Sequence, residues 1–179
     1  MIELRRATPA HAPAVADVYL ASFRHALPTV RLAHDDQSVR AWVREHLLPE
    51  TECWVALDGD VVVGMMSLTP GWMQQLYVAP DRLGEGIGRR LLELAQSRAD
   101  DELQLWTFQV NDRARRFYER NGFTAVEFTD GSTNQEHEPD VRFAWRRLHT
   151  SPGLPVWRAS RPLTNPVPPA LVPAFPRRR

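Results

Sequence analysis

The chain contains no lysine: all 22 of its basic side chains are arginine, set against 22 acids in 179 residues. Without an ε-amine there is no Schiff-base lysine, no lysine-anchored pyridoxal cofactor and no Walker-type phosphate loop. A single cysteine, Cys53, leaves nothing to pair in an intramolecular disulfide and no multi-cysteine zinc site, and no metal is expected. No apolar run approaches the roughly 20 residues of a membrane span. The opening Met1-Ile2-Glu3-Leu4-Arg5-Arg6 lacks the apolar stretch of a signal peptide. These absences point to a cytoplasmic protein without a membrane partner. The formal net charge is zero, which gives no electrostatic reason to expect nucleic acid.

That zero is a cancellation. Residues 151–179 carry five arginines and no acid, whereas residues 1–150 hold 17 arginines against 22 acids. Eight of the last 29 residues are proline, too many for a helix or a central strand. The expected organisation is therefore a domain over 1–150 and a proline- and arginine-rich extended tail over 151–179. Trp157, Leu163, Leu171, Val172 and Phe175 give that tail enough apolar surface to dock on the domain or on a second copy, so a homodimer is compatible with it.

Hydrophobic spacing divides the domain into strands and helices. Ile2–Ala7 reads as a strand, and the Thr8-Pro9 pair opens a helix with Ala14, Val15, Val18, Tyr19, Ser22 and Phe23 on one face. A second helix fits Asp35–Leu48, with Val39, Trp42, Val43, His46 and Leu47 inward and Pro49 as its stop. Strands follow at Cys53–Leu57, Val61–Leu68 and Trp72–Val78. Then come a helix opened by the Gly84-Glu85-Gly86-Ile87-Gly88 turn, a strand at Leu103–Val110, a helix at Asn111–Asn121, and strands at Phe123–Phe128 and Val141–Trp145. Thr129–Asp140 reads as a polar loop. The order is β-α-α-β-β-β-α-β-α-β-β, a mixed α/β fold.

Glycines between a strand and a helix place unpaired backbone N–H groups at the positive end of the helix dipole, which suits an anion such as a pyrophosphate. The spacing is not the dinucleotide fingerprint, because Arg89 stands where the third glycine would be. The layout from Leu76 to Leu92 instead resembles motif A of the GNAT acyl-CoA-dependent N-acetyltransferases. Asn111-Asp112-Arg113-Ala114-Arg115-Arg116-Phe117-Tyr118-Glu119-Arg120-Asn121-Gly122-Phe123 is similar to the family's motif B. The span from Val55 onward resembles a bacterial subgroup of that family.

The resemblance implies a mostly antiparallel central sheet flanked by helices, acetyl-CoA as co-substrate, and an amine of a small molecule or peptide as acceptor. It implies backbone amides of Leu83, Gly84, Glu85, Gly86, Ile87 and Gly88 around the pyrophosphate, with Arg82 or Arg89 supplying a cation. Leu83 departs from the glutamine or arginine usual there. Leu76, Tyr77 and Val78 would pair with the pantetheine arm as a strand, with Asn111 as its side-chain contact. Tyr118 matches the tyrosine that protonates the leaving thiolate. The family's frequent glutamate base on the third sheet strand falls at Gln74 or Gln75 here, and neither amide accepts a proton from an ammonium. Glu136, Glu138, Asp140, His25 and His34 are the remaining candidates for that task. A water chain with no single base is equally open, and so is an acyl-CoA-binding regulatory module without catalysis. The connection Arg24–Asp36 would shape an acceptor pocket, made partly aromatic by tryptophans among Trp42, Trp54, Trp72 and Trp106, at least two of which are expected in the core instead.

Overall fold

The computed structural model describes residues 1–147; the expected tail over 151–179 lies outside the described residues. Strand β1 (Ile2–Arg6) leads through a 3₁₀ turn at Pro9–His11 into helix α1 (Ala12–Ala26), which buries Val15, Val18, Tyr19, Ser22 and Phe23. Helix α2 (Asp36–Trp42) is capped by Asp35, whose carboxylate accepts from the Ser38 amide at 2.7 Å.

Pro49 does not end this helical segment. A π-type stretch at Val43–Leu47 follows α2, and α3 (Leu48–Glu50) continues it. The Leu48 amide reaches back to the Val43 carbonyl. Pro49 then sits at the start of the last turn, where a missing N–H costs nothing. His46, expected inward, is half-exposed instead, with Nδ1 2.7 Å from Glu50 Oε1.

The remaining elements are β2 (Glu52–Asp58), β3 (Val61–Thr69), β4 (Trp72–Val78), α4 (Ile87–Arg98), β5 (Glu102–Phe108), α5 (Asp112–Arg120), β6 (Thr124–Phe128) and β7 (Asp140–Arg146). The expected element order holds, with strand ends shifted by a residue or two. The seven strands form one sheet in the order β1-β2-β3-β4-β5-β7-β6. Every neighbouring pair is antiparallel except β4–β5. A parallel pair needs a crossover, and α4 supplies it.

Two apolar layers cover the sheet. On one face α1 and α2 pack Val15, Tyr19, Trp42 and Leu47 onto Val55 and Met65. On the other, α4 and α5 pack Ile87, Leu91 and Tyr118 onto Met66, Leu105 and Phe143. Gly64 on β3 lets α4 come close: a Cβ there would stand 3.1 Å from Ile87 and 3.3 Å from Leu91.

Candidate active site

The sheet opens where its one parallel pair fails to continue. β4 and β5 share the single pair Trp72↔Gln104 and then diverge. A bulge on the other side of β4 helps. Ser67 faces Gln75 and Leu68 faces Met73, so Gln74 is an extra residue that bends the strand. Two cavities meet in this split. A small inner one of about 60 Å³ is lined by Gln74, Gln75, Leu105 and Trp106 among others. A long outer cleft of about 510 Å³ runs to the glycine turn. Ala26, Leu76, Tyr77, Asn111, Ala114 and Tyr118 line both and mark the junction.

At the outer end, Gly84 and Gly86 adopt positive φ of 92° and 78°, and Gly86 caps α4. A Cβ at either would meet nothing within 4 Å. The backbone angle, not space, is what demands glycine there. The turn delivers the α4 N-terminus, with its unpaired amides, to the cleft. Leu83, Gly84, Gly86, Ile87, Gly88 and Arg89 line it. Glu85 does not: its carboxylate is held by Arg82, Nε to Oε1 at 2.8 Å. Arg82 also reaches Asp58 at 3.0 Å, and Arg89 pairs with Glu93 at 2.8 Å.

Arg113, Phe117 and Arg120 of α5 also face the cleft. Sequence reasoning missed the two arginines, although their i, i+4, i+7 spacing with Phe117 puts them on one helical face. Ser22 and His25 of α1 line the opposite wall, Ser22 donating to the Val78 carbonyl at 2.6 Å.

Asn111 caps α5, its Oδ1 accepting from the Ala114 amide at 3.1 Å, which leaves its NH₂ group for the cleft. Tyr118 is buried and packs against Phe117, Phe123 and Phe143 at centroid distances of 5.3, 5.7 and 5.9 Å. Burial pushes its pKa up, because the phenolate would be poorly solvated, so the hydroxyl keeps its proton.

The candidate bases separate by what holds them. Gln74 donates to Thr69 at 3.0 Å. Asp140 is a structural acceptor, bonded to Thr129 and, at 3.1 Å, to Asn134. Glu138 has its backbone N–H and C=O clasped by the Asn134 amide. His34 contacts Gln135, Nε2 to Oε1 at 2.8 Å, and His25 lies along the outer cleft. Glu136 differs. Both its carboxylate oxygens are sealed from solvent, and neither makes a hydrogen bond. The amides of Ala33 and of Glu136 itself lie near enough to favour its charge without bonding in normal geometry, yet burial outweighs them and pushes its pKa up.

Of the four tryptophans divided by expectation between acceptor pocket and core, only Trp106 lines either cavity. Trp42 is core, and Trp54 sits between the Arg6 and Arg98 guanidinium groups at 5.8 and 5.5 Å. Trp72 starts β4 as the partner of Gln104. Cys53 is buried in β2, and desolvation pushes its thiol up to about 12. It lines neither cavity, so it offers no acyl acceptor. Among the described residues no cluster of three metal-ligating side chains occurs, and no helix is long and apolar enough to cross a membrane.

A family profile described as an acetyltransferase (GNAT) domain matches residues 49–125. The peptidyl-lysine N-acetyltransferase YiaC of Escherichia coli K12 is 27% identical over 125 residues, which cover 69% of this chain and 84% of that protein. The solution structure of apo YjaB from Escherichia coli superposes with a TM-score of 0.69 at 27% identity, over 81% of this chain and 97% of that one. The PaiA N-acetyltransferase of Thermoplasma acidophilum, crystallised with coenzyme A, has the same fold with a TM-score of 0.65 at 20% identity, over 82% of this chain and 99% of that one. Profile, relatives, fold and both motifs agree: residues 49–125 match the GNAT acetyltransferase domain, and the fold around them is that of known N-acetyltransferases.

Proposed function

We propose that the protein transfers an acetyl group from acetyl-CoA to a primary amine of a small molecule or peptide, directly within a ternary complex. The observation that carries this is the position of Tyr118 and Asn111. Both stand where the anion-binding cleft meets the β4–β5 split. The α4 amides, with Arg82, Arg89, Arg113 and Arg120 at the rim, suit a pyrophosphate. The edge of Leu76–Val78 suits an amide-bearing arm laid along β4 as an added strand.

An arm in that position brings its thioester to the junction. The amine nitrogen attacks the carbonyl carbon, the C–S bond breaks, and its electron pair leaves on sulfur. The sulfur takes the Tyr118 proton, and the nitrogen sheds its surplus proton. A free phenol has a pKa of about 10 and a thiol of about 8.5. Burial raises the basicity of the departing thiolate as it raises the Tyr118 pKa, so the proton is held until a strong base forms beside it. The buried, high-pKa Cys53 favours direct transfer over an acyl-cysteine route. The YiaC relative is named for peptidyl-lysine, which makes a lysine side chain the first peptide amine to test.

A second reading, an acyl-CoA-binding regulatory module, is favoured by Gln74 standing at the bulge and Leu83 in the turn. Thermal unfolding with acetyl-CoA and thiol release across an amine panel separate the two. At about 100 times Kd, acetyl-CoA should stabilise the protein by about 2.7 kcal/mol, and at least one amine should release coenzyme A thiol. Stabilisation without release for any amine would favour the module, and no stabilisation would reject both.

A further inference from the structure

We infer that residues 165–169 of this chain dock as a polyproline II helix across Trp72 and Trp106, on the face of β5 and β7 that no described helix covers. This docking is independent of the acetyltransferase reading. Two large aromatic side chains call for it. Trp72 and Trp106 belong to none of the apolar clusters formed among the described residues. Aromatic surface of that size, left outside the core on one patch, marks a place for a partner.

Strand alternation puts both tryptophans on the same side. Leu103 and Leu105 of β5 and Val141 and Phe143 of β7 pack with α4 and α5, so Gln104, Trp106, Arg142 and Ala144 face the other way. Trp72 joins them as the partner of Gln104. On that side α1 and α2 cover Val55 and Met65 of β2 and β3, and α1 reaches β5 only at Phe108. The charges there are already matched. Arg142 donates to Glu127 at 2.8 Å and lies 6.0 Å over the Trp106 ring, and Arg146 meets Glu102 at 2.9 Å. A partner is thus offered aromatic surface and the Trp106 indole N–H, which is sealed from solvent and donates to no described group.

A polyproline II helix fits that surface. It makes no hydrogen bonds of its own, so its carbonyls accept from a donor such as an indole. Its rings recur every third residue, about 9 Å apart. Trp106 stands two residues along β5 from Gln104, and Trp72 one strand away, which puts their Cα atoms about 8 Å apart at ordinary strand spacings. Prolines three residues apart therefore reach both rings. Pro166-Val167-Pro168-Pro169 supplies such a pair. Each proline fixes its own φ, and Asn165, Val167 and Pro168 each precede a proline and are steered away from the α region. Little freedom is lost on docking. The pairs Pro152/Pro155 and Pro173/Pro176 have the same spacing without a third proline between them.

The chain's own tail is favoured over a second copy by where β7 ends. Arg146 lies two residues beyond Ala144, in the row that holds Gln104 and Trp72, so the chain leaves the sheet beside this face. Residues 148–165 separate Arg147 from Pro166. As a random coil they would span about 23 Å, close to the length of β5, about 23 Å for its seven residues. A tether matched to its span gives an effective concentration of about a millimolar, which a second copy reaches only in concentrated solution. Charge agrees: residues 148–179 carry five arginines and no acid, against 17 arginines and 22 acids in residues 1–147. Seated there, the segment overlies Trp106, which lines the inner cavity, and narrows the approach to it from this face.

The test uses the full chain with Ser160→Cys carrying a nitroxide label, read by nuclear magnetic resonance of the indole N–H groups. Cys53 is buried and its thiol is pushed up to about 12, so it stays unlabelled. The label should broaden the signals of Trp72 and Trp106 and spare that of Trp54, which packs on the opposite face. Adding Pro166→Gly and Pro169→Gly to the labelled chain removes both rings and leaves every described residue in place. The broadening should then be lost. No broadening at Trp72 and Trp106, or equal broadening with and without the two prolines, would overturn the docking. Mixing isotope-labelled chain with nitroxide-carrying chain of natural isotope content separates the occupants: broadening at Trp72 and Trp106 in that mixture would overturn the assignment to the chain's own tail in favour of a second copy.

Discussion

Tyr118 takes its proposed role from where its hydroxyl ends rather than from any unusual partner. Its ring is fixed by three aromatic neighbours, so replacing it by phenylalanine keeps the packing and removes only the oxygen. Tyr118→Phe should lower kcat about 10²- to 10⁴-fold with acetyl-CoA affinity and melting temperature nearly unchanged. Steady-state kinetics beside calorimetric titration measure both, and an unchanged kcat would remove Tyr118 as the acid. The sequence points to Tyr118 and Asn111 because short-range spacing within one helix marks them. It leaves Glu136 one of five candidates, since burial and the absence of a partner are made by α1, β4 and a distant loop meeting.

Between β6 and β7, the segment reads from sequence only as a polar loop. In the structure it is ordered by its own short side chains. Thr129 Oγ1 accepts from the Gly131 amide at 3.1 Å, and Asp130 from the Ser132 amide at 2.9 Å. Gly131 has φ +79°, and a Cβ there would lie 2.8 Å from the Glu138 nitrogen and closer still to its carbonyl. Gly131→Ala should therefore cost at least about 2 kcal/mol. Denaturant unfolding reads this effect, and a wild-type unfolding free energy would contradict this account of the loop. The π stretch after α2 escaped the sequence for a related reason: proline stops a helix only where its N–H is needed, and here it is not.

Over the whole molecule, residues 1–147 carry 17 arginines and 22 acids, yet the cleft gathers Arg82, Arg89, Arg113 and Arg120 around one glycine turn. Arg82 and Arg89 are already partnered by acids, which moderates their pull on a phosphate. Attraction to a polyanion at an exposed rim is screened within a Debye length of about 8 Å at physiological salt. Raising salt from about 50 to 500 mM should weaken acetyl-CoA binding several-fold. It should barely move the melting temperature, because exposed ion pairs contribute little to stability. Titrations and melting curves at the two salt levels check this, and a salt-independent affinity would remove the arginine rim as a binding feature.

The sequence alone determined the element order, the glycine turn into α4 and the Asn111–Tyr118 spacing, because each depends on residues within one or two turns of one another. It also excluded lysine and disulfide chemistry through residues that are not there. Only the tertiary structure decided that β4 and β5 part after a single pair, that two cavities meet at Tyr118, and that among the candidate carboxylates only the oxygens of Glu136 are both sealed and unbonded. Those facts depend on desolvation and register between segments far apart in the chain, which local spacing does not encode.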